Sequence, residues 1–369
     1  MKHRNHIRNG ILLALILSGA ATSALAQTSD ASSAPRPDET EVITKPFSYE
    51  SKTNSWGFTF DNDVLVPGSR DQDYTYGINF SISGNNARSH WLSAHTPLAH
   101  INQWIGAGKS TIIQNETKIE YGLLGFTPEN IQNAYADHND RPYASLLYVS
   151  SSVETYDFAR DISWNSSLTI GLLGLGLVGE LQKTVHEATD GEQPRGWSNQ
   201  ISEGGELTAK LNIARQSLIF QNNHGTEIKS TYQAAIGYVT EASWSISGRI
   251  GKIHSPWARF NPELVSYGEQ SAQTKQTRLT ERYLWAGLAL KGRAYNAFLQ
   301  GQFKQSNVEY DSNALRHGII EAWLGYTVAH ANGYRFTYAL RGHSSEIKSG
   351  TGDRNVVWGG LSVSKRFSS

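Results

Sequence analysis

The sequence predicts an all-β protein, a transmembrane antiparallel β-barrel of about 12 strands with a short helix in one loop. Three observations lead to this fold class. Segments along the chain alternate apolar and polar residues, as strands with one apolar face do. Beyond the amino-terminal leader, no window holds the ~18 apolar residues that a membrane helix needs. Glycine and tyrosine are abundant, at 34 and 17 residues, while only 18% of residues are charged. This balance is typical of barrel strands with one lipid face and one lumen face, although a soluble β-sandwich remains the alternative.

The alternation is clearest near the carboxyl terminus. One strand places aromatic and aliphatic residues on one face and arginines on the other, with Tyr334, Phe336, Tyr338 and Leu340 against Arg335, Thr337, Ala339 and Arg341. We expect the aromatic face to meet lipid and the arginines to point inward. The preceding strand repeats the pattern, and Ala331–Gly333 forms a short hairpin turn between the two. A last strand carries Val357, Leu361, Val363 and Phe367 on one face.

The other strands follow the same pattern. They are predicted at Asn54–Asn62, Tyr74–Ser83, Ile112–Leu124, Tyr143–Thr155, Ser166–Leu177, Gly205–Phe220, Ile228–Thr240, Ser243–Ile253 and Arg282–Gln305. The last is long enough for two strands, but its turn signal is weak, so it is predicted as one strand that projects beyond the membrane. The total is about twelve, in keeping with the even strand numbers of bacterial barrels. A barrel of this size has no wide channel, and we expect side chains to fill its interior.

The chain is predicted to be exported to the bacterial outer membrane. Residues 1–26 have a basic start, an apolar stretch and a small-residue cleavage site, which together indicate a signal peptide. Residues 27–50 are polar and proline-containing and are predicted to be a disordered lead-in, followed by the barrel at 51–369. The chain has no cysteine, so it forms no disulfides. Acidic and basic residues balance at 33 each, which is no signature of a nucleic-acid partner. No protein partner is predicted.

Two connections break the pattern of short turns, at Thr127–Pro142 and Val178–Glu203. Within the second, Gly179–Thr189 has helical composition, and Gln182 and His186 lie four residues apart on one face. Pro194 and Gly196 keep this helix from continuing. Trp197–Gln200 could anchor the loop at the membrane interface, where tryptophan is enriched.

The candidate chemistry rests on a histidine and a few oxygen-bearing side chains. His186 is the candidate general base, since a neutral imidazole is available near pH 7, although most histidines are structural or solvated. Asn62 and Asp63 end the first strand, where such residues either cap a turn or bind a hard cation such as Ca²⁺. Thr75 has the inward parity of a strand whose Tyr74, Tyr76, Ile78 and Phe80 are expected to face outward, and it could meet the Asn62–Asp63 end. Neither a Gly-x-Ser-x-Gly elbow nor a His-Glu-x-x-His motif is present.

Several motifs together resemble the lipid A deacylase family, the outer-membrane lipid A 3′-O-deacylases often called LpxR. They are Phe60-Asp61-Asn62-Asp63, Asp73-Tyr74-Thr75-x-Gly77, Arg141-Pro142-Tyr143-Ala144 and Glu180-x-Gln182-x-x-x-His186, followed by Glu192, Trp197 and Gln200. The resemblance runs from about Ser55 to Phe367. It implies a twelve-stranded barrel that hydrolyses the ester of the 3′-acyloxyacyl group of lipid A and requires Ca²⁺.

The resemblance also implies site residues. The catalytic set falls on Asn62, Asp63, Thr75, His186 and Glu192, with Asp63 and Glu192 as metal ligands. A lysine that the family uses after the third strand has no counterpart here. The nearest position is Asn133, so Arg141 or Lys118 is expected to supply a cation instead.

The expected mechanism is a water attack. His186 takes a proton from water, Asp63 or Glu192 orients the imidazole or holds the metal, Ca²⁺ polarises the ester carbonyl, and Asn62 and Thr75 position the reactants. The expected substrate is lipopolysaccharide among outer-membrane lipids. Two alternatives remain open: a calcium-dependent outer-membrane phospholipase, although no convincing serine follows a histidine on a strand, and a non-enzymatic structural or pore-forming barrel.

Overall fold

The computed structural model describes residues 49–50, 53–67, 73–107, 113–188, 191–265 and 279–368. The predicted signal peptide lies outside these residues, as does the lead-in except for Tyr49 and Glu50. Those two residues pair in parallel with Gln114 and Asn115. All other strand pairs are antiparallel.

Twelve long strands form the described sheet. Their bounds are β1 Thr53–Asn62, β2 Asp73–Ser83, β3 Ile113–Thr127, β4 Ala144–Asp157, β5 Ile162–Leu173, β6 Glu206–Asn222, β7 Thr226–Gly237, β8 Val239–Lys252, β9 Glu281–Asn296, β10 Gly318–Ala329, β11 Tyr334–His343 and β12 Val356–Ser368. Each strand pairs with the next along the chain, and β12 pairs with β1. The sheet therefore closes into a barrel without a free edge, which confirms the predicted architecture.

The two faces of the wall divide as the alternation predicts. On β11, Arg335 and Arg341 are buried, while Phe336 and Tyr338 are exposed on the outside. Exposed apolar side chains recur around the outer surface, as a lipid-facing wall requires, at Phe58, Phe80, Ile170, Leu288, Leu324 and Leu361 among others. We call the end of the barrel near Thr53 and Ser368 the terminal end, and the opposite end, near Asn62 and Asp73, the loop end.

The interior is filled, as expected, but part of the filling comes from a loop. After β8 the chain turns back into the barrel as two short 3₁₀ helices, Trp257–Arg259 and Pro262–Leu264. Arg259 bonds to Glu116 on β3 and Glu154 on β4. From the same segment, Glu263 accepts a hydrogen bond from Ser247 at 2.9 Å. These buried charges need such partners, because an unpaired one would cost several kcal/mol. Residues 257–265 therefore plug the barrel.

Four α-helices complete the described chain: α1 Asn85–Arg88, α2 His95–Ile105, α3 Leu177–Ala188 and α4 Ala297–Gln300. Helix α3 confirms the predicted loop helix. Among the described residues, no helix has the length and apolarity to cross a membrane.

Three sequence expectations about the connections are wrong. The predicted strand Arg282–Gln305 ends at Asn296, whose side chain accepts a hydrogen bond from Phe298 N and so caps α4. The predicted strand Ile228–Thr240 reverses at Gly237, which has a φ of 138° and leaves no room for a Cβ beside the Ala209 carbonyl. Long connections are also more numerous than two, because residues 84–112, 253–280, 297–317 and 344–355 join strands as well.

Candidate active site

The loop end of β1 sends neighbouring polar side chains to opposite sides of the wall. Asp61 lines an interior cavity together with Thr59 and Arg341. Asn62 is the next residue and therefore faces outward. Its Oδ1 accepts a hydrogen bond from Val64 N at 2.7 Å and caps the 3₁₀ helix Asp63–Leu65. Asp63 is 1% exposed. The side-chain oxygen of Asn62 therefore has a capping role, while the Asp63 carboxylate is buried.

The expectation that Tyr74 faces outward and Thr75 inward is wrong. A bulge between Tyr74 and Tyr76 shifts the register of β2 against β3. As a result, Tyr74 turns into the interior, where its ring lies 5.5 Å from that of Phe126. The hydroxyl of Thr75 lies 2.6 Å from that of Thr127. Thr127 has the parity opposite to inward-facing Phe126, so Thr75 belongs to the outer side of the rim.

Helix α3 is seated on the outer wall beside these residues. Tyr76 pairs with Asn62 across β1 and β2, and its hydroxyl donates a hydrogen bond to the Val178 carbonyl. Val178 is fully buried and lies over Gly125, where an added Cβ would come within 3.0 Å of the valine side chain. The start of α3 therefore packs directly on the rim that carries Asn62 and Thr75.

The loop after α3 folds back on the helix and holds it. The Trp197 indole packs on Gly179, where a Cβ would lie 2.7 Å from the ring, and its Nε1 donates to Gln182 Oε1 at 2.8 Å. The Tyr143 ring is tilted against the indole, with the two ring centroids 4.9 Å apart. Trp197 is thus half-buried between the barrel and the helix.

His186 lies near the end of α3. Val178 and Gln182 are buried against the protein, and His186 continues their side of the helix at a four-residue spacing. Eight residues separate His186 from Val178, or about 12 Å along the axis. The His186 Nδ1 contacts the backbone carbonyl of Glu192. Since a carbonyl oxygen can only accept, Nδ1 carries the proton in this contact, and Nε2 of the neutral ring is the basic nitrogen. Glu192 thus orients the imidazole through its backbone.

The oxygen atoms at this rim have the chemistry of a hard-cation site. Asn62, Asp63 and Thr75 offer amide, carboxylate and hydroxyl oxygens, which suit Ca²⁺. Within the described part of the chain, no group of three or more His, Asp or Glu side chains is assembled closely enough to hold a metal. The Glu192 carboxylate is exposed and lines an open cavity with Gln132, Gln193 and Arg195. The donor types therefore fit the ion, while Glu192 lies on a separate segment from Asp63.

Lys118 and Arg141, the two residues expected to replace the missing lysine, are both buried. Lys118 is buried beside Glu120, on an inward-facing position of β3. Arg141 is also buried, 2.7 Å from Glu346 and 3.6 Å from Asp73. Arg195, in contrast, is exposed on the loop that follows α3, and its backbone N–H donates to the Ile131 carbonyl at 2.9 Å.

Sequence reasoning missed the residues that assemble this region. Tyr76 and Val178 join the rim to α3, and Thr127 meets Thr75. The bulge in β2 decides the contact between Thr75 and Thr127, and alternation alone gives no sign of a bulge.

The closed sheet, its apolar outer face and its plugged interior define an outer-membrane β-barrel. The chain belongs to the LpxR family: the family model "Outer membrane protein LpxR" matches residues 11–367. It is therefore an outer-membrane protein, as the sequence predicts. No curated protein sequence matches the chain.

The solved structure of LpxR from Salmonella typhimurium supports the fold, and two other outer-membrane barrels are more distantly similar. LpxR from Salmonella typhimurium is 16% identical, with a TM-score of 0.64 over 84% of this chain and 99% of that one. The β-domain of the Bordetella autotransporter BrkA is 10% identical, with a TM-score of 0.41 over 86% and 100% of the two chains. The NalP translocator domain from Neisseria meningitidis is 8% identical, with a TM-score of 0.39 over 97% and 98%.

Proposed function

We propose that this protein is a lipid A 3′-O-deacylase that hydrolyses the ester of the 3′-acyloxyacyl group within the outer membrane. The observation that carries the proposal is the position of His186, on a helix seated against the outside of the wall beside Asn62 and Thr75. A site on this side is reached by a lipid that moves in the plane of the membrane. Family membership supports the same reaction.

The orientation of the barrel supports lipopolysaccharide as the substrate. Three connections at the terminal end are turns of three or four residues, at 158–161, 223–225 and 330–333. Barrels keep their short turns on the periplasmic side and their long loops outside the cell. The loop end, with α3, then lies at the outer leaflet, where lipid A resides.

In the proposed reaction the chain's own groups activate water. The Glu192 carbonyl holds the Nδ1 proton of His186, so that Nε2 accepts a proton from water as it attacks the ester carbon. The same imidazolium then returns the proton to the leaving sugar oxygen. Asn62 and Thr75 position the ester by hydrogen bonding. Calcium, when bound, would supply positive charge to the ester oxygen, with Asp63 as a ligand and the Glu192 carboxylate as a second candidate ligand.

Arg195 is the proposed contact for the negative groups of the substrate. It is exposed beside Gln132 and Glu192 in an open cavity next to His186. Lipid A carries phosphates, and a guanidinium binds phosphate through paired hydrogen bonds. This assignment replaces Arg141 and Lys118, whose side chains are buried with acidic partners.

Mass spectrometry of lipid A tests the proposal. Cells that express the protein should lose one acyloxyacyl group from lipid A, and phospholipids in the same cells should stay intact. His186→Ala should lower turnover about 10²- to 10⁴-fold. His224→Ala, at an exposed turn of the terminal end, is the matched control and should act like the wild type. Wild-type turnover in a folded His186→Ala barrel would contradict the assignment, and cleavage of phospholipids alone would favour a phospholipase.

A further inference from the structure

We propose that residues 84–107, the α1–α2 segment, form a membrane-interface anchor that rests on phospholipid headgroups at the terminal end of the barrel. The segment plays no part in the proposed reaction, which takes place at the opposite end of the wall. The segment covers a polar part of the outer wall, exposes two tryptophans and joins the lipid-facing surface.

The wall beneath α2 is polar on its outside. Glu116 and Glu154 point inward to Arg259, so the residues on either side of them point outward. These outward residues include Asn115, Thr117 and Thr155, which lipid could not satisfy with hydrogen bonds. The segment 84–107 replaces lipid over this patch of β3, β4 and β5.

Hydrogen bonds fix α2 to that patch. Asn102 Nδ2 donates to the Val153 carbonyl at 3.1 Å and to Thr155 Oγ1 at 3.0 Å. His95 Nδ1 lies 2.7 Å from Thr117 Oγ1. Leu98 and Ala99 pack on Val153 in a small apolar cluster. The face of α2 that carries His95, Leu98 and Asn102 is therefore bound to the outside of the barrel wall.

The opposite face of the segment has the residue types that are common at the membrane–water interface. Trp91 and Trp104 are 84% and 88% exposed, and water alone is a poor surrounding for two large aromatic rings. Tryptophan concentrates where acyl chains meet headgroups, because its ring is apolar and its N–H is polar. Residues 84–107 contain Arg88 and no acidic side chain, so anionic phosphates meet no repulsion there.

The segment is continuous with the lipid-facing wall. The His90 ring contacts Tyr121, whose hydroxyl lies 3.2 Å from His90 Nε2. Tyr121 pairs across the sheet with Phe80, an exposed residue of the apolar outer face. Trp91 therefore adjoins the apolar band. Trp104 lies closer to the terminal end, because nearby Gly106 accepts a hydrogen bond from Arg160 in the 158–161 turn. We expect Trp91 to be the deeper of the two in the bilayer.

Site-directed spin labelling tests the depth of both residues. The chain has no cysteine, so Trp91→Cys and Trp104→Cys each provide one labelling site. The purified barrel is reconstituted in vesicles of phosphatidylethanolamine and phosphatidylglycerol, and collision with oxygen and with a neutral nickel chelate is measured. Leu288→Cys on the lipid-facing wall is the deep reference, and Ser349→Cys in an exposed loop is the aqueous one. Heat-modifiable gel mobility confirms that each variant is folded.

The expected result is nickel accessibility at least threefold lower at 91 and 104 than at 349, with the label at 91 closer to the value at 288. The proposal fails if either label matches the one at 349, because the segment then lies in water. It also fails if labels at 104 broaden one another at low protein-to-lipid ratio, because a second copy of the chain then covers this face.

Discussion

The hydroxyl of Tyr76 donates a hydrogen bond to the backbone carbonyl of Val178, at 2.5 Å, and so ties β2 to the first turn of α3. Asn62 is the cross-strand neighbour of Tyr76. One tyrosine therefore contacts both the strand that carries the proposed polar site and the helix that carries the proposed base. We expect this contact to contribute to the position of His186 relative to the rim.

Replacing Tyr76 with phenylalanine should loosen α3 without unfolding the barrel. A hydrogen bond of this kind is worth about 1 kcal/mol, so we expect roughly a fivefold drop in deacylation rate and faster proteolysis within the 174–205 connection. Tyr326→Phe, on the lipid-facing side of β10, is the matched control. Equal rates for the two variants would show that this contact does not position the helix.

Neighbouring acids on opposite sides of the wall should respond differently to calcium. Asp63→Asn removes a proposed ligand, so we expect the Ca²⁺ concentration for half-maximal activity to rise tenfold or more. Asp61→Asn changes the adjacent carboxylate, which lines the interior cavity, and should leave that concentration unchanged. The measurement is activity on purified lipopolysaccharide against free Ca²⁺. Identical curves for Asp63→Asn and the wild type would remove Asp63 from the metal site.

Arg195→Ala should weaken substrate binding more than the chemical step. We expect KM for lipid A to rise about tenfold, the loss of one charge-assisted pair, with kcat within twofold. Arg195→Lys should recover part of the loss. Lipid A stripped of phosphate should bind the wild type and Arg195→Ala equally well. A defect in Arg195→Ala that persists with this substrate would mean that Arg195 acts on something other than phosphate.

Acid should weaken the loop end of the barrel through Glu346. Burial acts to raise the pKa of this carboxyl, but the guanidinium groups of Arg293 and Arg141 prevail and hold it well below its ordinary value of 4.5. A lowered folded-state pKa means that the stabilisation is complete above about pH 4.5 and is lost as pH falls from there toward the folded-state pKa.

The corresponding variant is Glu346→Gln, which should cost about 3 kcal/mol at pH 7, because it leaves buried cations without their partner. Its urea midpoint in detergent should then change less between pH 7 and pH 3.5 than that of the wild type. A parallel fall for both proteins would exclude Glu346 as the group responsible.

The sequence predicts the barrel well because apolar and polar residues must alternate along each strand of its wall. Arg335 and Phe336 must face opposite sides of the wall, so their order along the chain is visible without a structure. The helix around His186 is visible for a similar reason, since Gln182 and His186 keep helical spacing.

Other features depend on contacts between distant residues and leave no such pattern. The bulge that turns Tyr74 inward follows from the register with β3. The plug depends on Arg259 meeting Glu116 and Glu154, which lie more than 100 residues before it. The packing of helix α2 could not be predicted from the sequence either. This helix binds a polar patch on the outside of strands whose residues otherwise alternate regularly.

The plug formed by residues 257–265 also limits the route that a lipid substrate could take. Because the lumen is occupied, a glycolipid hydrolysed on the outer wall, as we propose, would not pass through the protein. It would stay in its own leaflet, and the released acyl group would remain among neighbouring acyl chains. Lateral diffusion alone would then deliver each substrate and remove each product.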